Sequence, residues 1–387
     1  MLARIGWWLA VCIVHFRYYI KHETSPVNFG SKQKYLTFNS STTSVGLVAN
    51  PVSARDIRRV IANATSLQVA DRANIVMRVL VAMWACGVKR VLMMPENGGI
   101  RSLLKRGLQR EQKHGDNCFP KLEMTDTPIS GTVDDTFAAT QAMVASGVKV
   151  IVVLGGDGTH RAVVKVCGQV PIAGISTGTN NAFPEHREPT ITGLAVGLAA
   201  TGRIPESVAF TLNKLLRVEI NGGERSDIAL VDVVVSTERY IGARALWRTE
   251  NLRELFVTFS DPEVIGMSAI AGLLEPIGRN DSGGLHVSLA VPEQAKTALL
   301  VPIAPGLIRS VGVQSWQKLE AGIPVTLQQS AGTIALDGER ELEFGTEDIV
   351  QVSLHEKAFR TVDVGACMRY SGEQRLLVGA TLDIPLS

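Results

Sequence analysis

The feature that most constrains the fold of this chain is an apolar run that ends in a glycine turn. Residues 148–154 have the length and β-branched composition of a buried strand. They end directly in Gly155, Gly156, Asp157 and Gly158. Glycines without Cβ atoms allow a tight turn with exposed N–H groups, and the helix start predicted at 160–166 favours an anion. The sequence predicts a phosphate-binding turn beside Asp157, and the alternative is an ordinary strand-to-helix turn.

A second short strand, predicted at 171–175, ends in a similar turn. Residues 176–181 read Ser-Thr-Gly-Thr-Asn-Asn, a set of small hydroxyl, amide and glycine residues. The carboxyl ends of neighbouring parallel strands form the usual ligand crevice of open α/β folds. Two such loops in succession are more specific for a ligand site than either loop alone.

Strands and helices alternate from residue 45 onward. We predict strands at 45–49 and 88–94, with a helix between them that is capped by Asp71 and ended by Gly87. A second helix starts at Asp134 and Asp135 and ends at Gly147, and a closing helix is predicted at 190–200. The apolar stripe of the first of these helices consists of Ile75, Val76, Val79, Leu80 and Met83. Such alternation implies a mostly parallel sheet with right-handed crossovers.

The pattern changes after about residue 205. A strand at 215–220 ends at Asn221-Gly222, a strong hairpin signal, and apolar residues alternate at period two over 285–291, before Asp337-Gly338 and over 350–354. A helical insert is expected just inside Asp261, at Pro262. The predicted fold class is α/β plus β: an N-terminal Rossmann-like parallel α/β domain at 45–204 and a C-terminal antiparallel β-rich domain at 205–359.

Composition narrows the class of protein. A formal net charge of +2 and the lack of a basic stripe argue against nucleic-acid binding. The five cysteines contain no Cys-x-x-Cys pair and indicate free thiols in a reducing compartment, so we expect a cytoplasmic location. The seven histidines show no metal-ligand spacing, and no protein metal site is predicted.

The first 44 residues differ from the rest. Residues 5–20 are apolar but are interrupted by His15 and Arg17, and the uninterrupted part is short for a membrane-spanning helix. Residues 21–44 are polar and resemble a linker. We interpret residues 1–44 as an extension or linker. An apolar anchor that contacts a membrane through residues 5–20 is the less favoured alternative.

Several motifs together resemble one superfamily. The turn Gly155-Gly156-Asp157-Gly158-Thr159 is similar to the signature of the superfamily of NAD kinases, diacylglycerol kinases and sphingosine kinases. The segments at 50–53 (Asn-Pro-Val-Ser), 229–235 and 337–339 (Asp-Gly-Glu) resemble further motifs of that superfamily. Within it the chain is most similar to the acetoin-catabolism protein X group. The resemblance implies that residues 360–387 return to the first domain, and that the protein is a homo-oligomer.

Two departures leave the phosphate acceptor open. NAD kinases hold the dinucleotide with an Asn-Glu pair where this chain has Val231-Asp232, so one carboxylate is kept and the amide is lost. The spacing of Gly178, Thr179 and Asn181 is closer to the lipid kinases. The chain thus combines features of both branches.

A kinase of this superfamily would use ATP and Mg²⁺, and NAD is the favoured acceptor. There is no Gly-x-x-x-x-Gly-Lys-Ser/Thr motif, which excludes a P-loop enzyme. Asp157 is the predicted general base or metal-assisting carboxylate. The predicted nucleotide- and phosphate-binding residues are Asn50, Gly155, Gly156, Gly158, Thr159, Gly178, Thr179, Asn180 and Asn181. The acceptor-side candidates are Asp232, Asp337 and Glu339. The alternative for Asp337 and Glu339 is a plain Asp-Gly hairpin, and the alternative for residues 178–181 is an Asn-rich loop that caps a helix.

Three hypotheses follow. The first is transfer of phosphate from ATP to the ribose 2′-hydroxyl of NAD, which gives NADP. The second is phosphorylation of a lipid or another small alcohol, favoured by the lipid-kinase-like residues 178–181 and 337–339. The third is a non-catalytic NAD or nucleotide sensor, favoured by Val231 in place of the amide.

Overall fold

The computed structural model describes residues 43–51, 67–113, 118–178, 181–242 and 244–378. In the first part strands and helices alternate: β1 (Ser44–Ala49), α1 (Val69–Ala85), β2 (Arg90–Met93), α2 (Ile100–Lys113), β3 (Lys121–Met124), α3 (Val133–Ala145), β4 (Ile151–Gly155), α4 (Asp157–Val166), β5 (Ile172–Ser176) and α5 (Pro189–Ala200). The rest is mainly β: α6 (Glu206–Ala209), β6 (Phe210–Ile220), β7 (Arg225–Ala229), β8 (Asp232–Ser236), β9 (Leu252–Val257), α7 (Ser268–Gly272), β10 (Gly284–Ala290), β11 (Thr297–Ala304), β12 (Leu307–Leu319), β13 (Val325–Thr326), β14 (Gly332–Leu336), β15 (Glu339–Phe344), β16 (Val350–Val362) and α8 (Val364–Glu373).

These strands form two sheets. The first has the order β3-β2-β1-β4-β5-β16-β6-β7, with β13 also paired to β16. Strands β1 to β5 pair in parallel, and β16 pairs in parallel with β5 and antiparallel with β6. The second sheet, β11-β12-β10-β9-β8-β14-β15, is antiparallel throughout. The predicted fold class, α/β followed by antiparallel β, is confirmed.

Helix α1 shows why the local patterns predict elements well. Its apolar stripe is buried beneath the first sheet, with Val76, Val79, Leu80 and Met83 all fully buried. Gly87 ends the helix with φ +99°, a conformation that glycine adopts without strain. The predicted cap is wrong, because Gln68 is the N-cap and Asp71 lies in the first turn, where its Oδ2 accepts the Gln68 N–H at 3.2 Å.

Other elements differ from expectation. The insert predicted to be helical from Pro262 begins with a turn, in which Asp261 Oδ1 accepts the Glu263 N–H at 2.8 Å, and its short helix α7 starts only at Ser268. Helix α2 and strand β3 were not predicted, since one carries few apolar residues and the other is four residues long. The hairpin at Asn221 is confirmed by the antiparallel pairing of β6 and β7.

The end of β16 and helix α8 contribute to the core around β1. Val362, Val364 and Cys367 belong to the same apolar cluster as Val45 and Leu47. The domain limits at 204–205 and 359–360 stay a prediction. Within the described part no helix is long and apolar enough to cross a membrane, and residues 5–20 lie outside that part. The four cysteines in it are free thiols.

Candidate functional site

A cleft of about 960 Å³ opens at the carboxyl ends of β1, β4 and β5, and the hairpin between β14 and β15 contributes to its lining. The structure brings most of the predicted site residues to it: Asn50, Gly156, Asp157, Gly158, Thr159, Gly178, Asn181, Asp337 and Glu339. Gly155 and Asp232 do not line the cleft. Thr179, Asn180 and Ser53 lie outside the described residues.

Helix α4 begins earlier than predicted, at Asp157 rather than at His160, and Gly156 is its N-cap. The Gly156 carbonyl accepts the N–H groups of Thr159 at 3.0 Å and His160 at 3.2 Å, which brings Asp157 into the first turn. His160 is fully buried, and its Nδ1 donates to the same carbonyl at 2.9 Å. Burial lowers the pKa of His160 to about 4, so the imidazole is neutral at pH 7 and supports the turn.

The two predicted loops approach each other closely. A Cβ atom on Gly178 would lie 2.9 Å from Gly156 Cα and 2.3 Å from Asn181 Oδ1. One on Gly155 would lie 2.5 Å from the Thr159 Cβ. Glycine is required at position 178, because the Cα of Gly156 that opposes it is a backbone atom and cannot rotate away. At position 155 an added Cβ would overlap the side chain of Thr159. The result is a surface of exposed backbone at the positive end of the α4 dipole, where anions bind.

Asp157 connects the first loop to the second. Its Oδ2 accepts the Ala182 N–H at 2.9 Å and its Oδ1 accepts the Phe183 N–H at 3.1 Å. The Arg279 guanidinium donates to the carbonyls of the same two residues. Burial raises the pKa of Asp157 to about 7, and the nearby Asp337 carboxylate raises it too, while the two N–H donors and Arg279 oppose the shift. A carboxyl with this pKa exchanges its proton near neutral pH.

Asp337 occupies the hairpin between β14 and β15. Its φ of +52° and that of Gly338, +79°, are those of a tight hairpin turn. Its Oδ1 accepts the N–H groups of Val231 at 2.8 Å and Leu230 at 2.9 Å, with Asp232 N at 3.4 Å. Burial raises the pKa of Asp337 to about 6, against the opposing effects of Arg161 and these N–H groups.

The three acceptor-side candidates therefore differ in whether they line the cleft. Asp337 and Glu339 line the cleft, and Glu339 Oε2 lies 3.9 Å from where a Cβ on Gly158 would be. Asp232 is buried outside the cleft lining, and its carbonyl accepts the Asp337 N–H at 2.9 Å. Val231 is 1% exposed. Residues 230–232 are thus part of the internal support of the hairpin.

Several charged residues at the cleft were not predicted. Arg161 donates to Glu341 Oε1 at 2.7 Å and to the Leu336 carbonyl at 2.8 Å, and Lys165 pairs with Asp227 at 2.9 Å. Asp157, Arg161 and Lys165 recur every fourth residue, so a helix start placed at Asp157 would have revealed one polar face. The other missed residues are Glu96, Asp135 and Arg244, which also line the cleft.

Arg72, which sequence reasoning also missed, holds the ends of two strands together. This buried side chain on α1 donates from Nη1 to the Asn50 carbonyl at 2.9 Å and to Thr177 Oγ1 at 3.3 Å. Its Nη2 donates to the Thr177 carbonyl at 3.3 Å. An arginine within an apolar helix is the signal that could have identified it, since a buried guanidinium needs acceptors.

Comparison with known proteins shows the family to which this chain belongs. The family model described as ATP-NAD kinase N-terminal domain matches residues 45–204, and the one described as acetoin catabolism protein X C-terminal domain matches residues 214–357. Acetoin catabolism protein X of Cupriavidus necator is 58% identical over 336 residues, which cover 86% of this chain and 93% of that protein. The chain belongs to the acetoin catabolism protein X family.

More distant relatives include NAD kinases. An NAD kinase of Methanosarcina barkeri is 25% identical over 260 residues, covering 65% of this chain and 86% of that protein. The crystal structure of yeast NADH kinase complexed with NADH is 13% identical, with a TM-score of 0.45, and covers 92% of this chain and 94% of that one. The resemblance to the ATP-NAD kinase family that the motifs indicated is confirmed by the family model and the sequence relatives.

Proposed function

We propose that this protein is an ATP-dependent kinase that phosphorylates the ribose 2′-hydroxyl of NAD, giving NADP. The observation that carries the proposal is the position of Asp157, a buried carboxyl with a pKa of about 7 in the first turn of α4, on a cleft beside two glycine-bearing loops. A general base works best when its pKa lies near the operating pH.

The geometry of the cleft supports binding of a triphosphate beside a proton acceptor. The glycines at 156, 158 and 178 leave backbone exposed where triphosphate oxygens can approach, and the helix end favours their charge. Each Asp157 oxygen accepts one N–H and keeps a second lone pair, with which it can take the proton of the acceptor hydroxyl. These backbone contacts also orient the carboxyl group.

The described residues fit a Mg²⁺ ion that arrives with the nucleotide. They contain no group of three or more possible metal ligands, and Mg²⁺ in such sites is held by one or two carboxylates, waters and phosphate oxygens. Glu339, which faces Gly158, would hold it. When bound, the ion would neutralise phosphate charge.

The test is NADP formation by the purified full chain with Mg-ATP and NAD, beside the Asp157→Asn variant as a blank. Product from the parent alone supports the proposal. ATP and NAD that bind without product would instead indicate a nucleotide sensor.

A second candidate, phosphorylation of another small or lipid alcohol, is favoured by one observation. The backbone N–H groups of residues 230–232 are directed to Asp337, and neither Val231 nor Asp232 lines the cleft. The chain thus lacks the Asn-Glu contacts that NAD kinases make. A panel of sugar, polyol, glycerolipid and sphingoid acceptors, assayed with labelled ATP, separates the two candidates.

The metabolic setting, location, assembly and domain roles of the protein are also proposals. The name of the Cupriavidus relative points to acetoin catabolism as the setting of this activity. We propose a cytoplasmic homo-oligomer whose partners are small-molecule nucleotides, with nucleotide binding at 45–204 and the β-rich domain at 205–359.

A further inference from the structure

One carboxylate of the cleft has a role that the catalytic proposal does not use. Glu96 follows β2 in the segment 95–98, all of which lines the cleft, and only 4% of the residue is exposed. It lies at the same edge of the sheet as the phosphate-facing loops after β4 and β5, with β1 between β2 and β4.

The two oxygens of Glu96 have different surroundings. Oε1 accepts the N–H of Arg101 in the first turn of α2, so it fixes the side chain against that helix. Oε2 is fully buried, and no residue in the described part of the chain donates a hydrogen bond to it. A buried carboxyl oxygen that makes no hydrogen bond costs free energy, which indicates that a ligand supplies the donor.

The backbone beside this oxygen requires a glycine. A Cβ on Gly98 would lie 3.2 Å from Glu96 Oε2 and only 2.2 Å from Pro51 Cβ. The glycine therefore lets the chain pass between Pro51 and the carboxylate without a side chain over Oε2. No cluster of three possible metal ligands occurs among the described residues, so a hydroxyl or amine donor fits this position better than a metal ion.

The topology indicates which donor. The strand order β3-β2-β1-β4-β5 is that of a doubly wound sheet, which binds nucleotides across the carboxyl ends of its strands, with the phosphates at a glycine turn and an acidic side chain on a ribose hydroxyl. In this chain the glycine turn follows β4 and the acidic side chain is that of Glu96 after β2. We propose that Glu96 Oε2 accepts a hydrogen bond from a ribose hydroxyl of the nucleotide bound in the cleft. The inference rests on the proposed nucleotide binding and adds selectivity for ribose over deoxyribose.

The experiment is isothermal titration of the full chain with ATP, 2′-deoxy-ATP and 3′-deoxy-ATP. We expect the parent to bind ATP about tenfold more tightly than at least one deoxy analogue, the effect of one charge-assisted hydrogen bond. Glu96→Gln keeps an acceptor for the Arg101 N–H and should weaken ATP binding about tenfold. Glu96→Ala should bind ATP and the deoxy analogue equally.

Asp135→Asn is the matched control. Asp135 also lines the cleft, and its two oxygens accept the N–H groups of Ser130 and Gly131, so this variant removes a cleft charge and one of these hydrogen bonds while Glu96 is unchanged. It should keep the preference for ATP, and thermal unfolding of each variant checks that the fold is intact.

Two results overturn the inference while nucleotide binding stands: a parent that binds all three nucleotides equally, or Glu96 variants that keep the preference for ATP. A parent that binds neither ATP, ADP nor NAD contradicts the proposed function itself, and the inference with it.

Discussion

Two buried aspartates, one from each sheet, face the same cleft in contrasting surroundings. Asp157 begins helix α4 at the end of β4 and accepts two backbone N–H groups, with Asp337 as a nearby negative charge. Asp337 lies in a hairpin of the antiparallel sheet, accepts N–H groups from residues 230–232, and has the Arg161 guanidinium nearby.

These different surroundings suit the two aspartates to different roles. Burial raises the pKa of both carboxyls, to about 7 for Asp157 and about 6 for Asp337. The Asp337 charge adds to the rise at Asp157, whereas the Arg161 guanidinium and the N–H groups of residues 230–232 oppose the rise at Asp337. The backbone N–H groups that converge on Asp337 make it an anchor of the hairpin. Asp157 stays poised between its two protonation states, as a proton acceptor must be.

The largest expected effect is that of Asp157→Asn on turnover. The amide has no proton-accepting carboxylate, so kcat should fall by about 10²- to 10⁴-fold, while the Kd for ATP stays within about threefold. Steady-state kinetics and titration calorimetry measure the two quantities. Asp135→Asn, which also removes a carboxylate bound to backbone N–H groups, should keep most activity. Intact phosphoryl transfer in Asp157→Asn would show that our catalytic assignment is wrong.

Asp337→Ala should act on stability first. Alanine is strained at a φ of +52°, and the N–H groups of residues 230–232 lose their acceptor. We expect the free energy of unfolding to fall by about 2–4 kcal/mol in urea denaturation. Asp337→Asn tolerates the same φ and keeps one acceptor oxygen, so its loss should be about half as large. Equal stability of parent and Asp337→Ala would refute the anchoring role.

Gly178→Ala tests the contact between the two loops. The added Cβ would meet the Gly156 backbone at 2.9 Å and Asn181 Oδ1 at 2.3 Å, so the loops must move apart. Overpacking of this kind costs about 1–3 kcal/mol, and we expect ATP affinity to fall about tenfold. Gly372→Ala in α8, where nothing lies within 4 Å, is the control and should bind ATP as the parent does. Unchanged affinity in Gly178→Ala would mean that the loops do not act together.

The smallest effect concerns pH. Both folded pKa values lie above the ordinary aspartate value of 3.8, so both groups hold their protons more tightly in the folded state. The stability from this difference is present in full below pH about 4 and is lost as the pH rises through about 6 and about 7. The free energy of unfolding should therefore include a decline between about pH 4 and pH 7 that is smaller in Asp157→Asn. The same slope in both proteins would contradict a raised Asp157 pKa.

Local patterns explain how far sequence reasoning reached. The stripe of α1, the glycine turn after β4 and the hairpin at Asn221 are each encoded within a few residues, and the structure contains all three. The start of α4 was misplaced, because three residues with Gly158 among them resemble a loop until the hydrogen bonds to Gly156 are seen.

Contacts between distant residues were beyond such reasoning. Arg72 meets Thr177, and Asp337 meets Leu230, across more than a hundred positions of the chain. The Val-Asp pair at 231–232 retains the carboxylate of the NAD kinase motif, yet its backbone supports Asp337 and its side chains avoid the cleft. Motif spacing identified the residues but not which of them share the cleft.

The placement of β16 has a consequence for synthesis of the protein. This strand is translated after every other described strand of both sheets, yet it lies between β5 and β6 in the first one. Until it emerges from the ribosome, the nascent sheet has unpaired edges in its middle, which invite wrong pairing. A premature stop just before residue 350 would therefore split the sheet, although every described residue that lines the cleft would still be made.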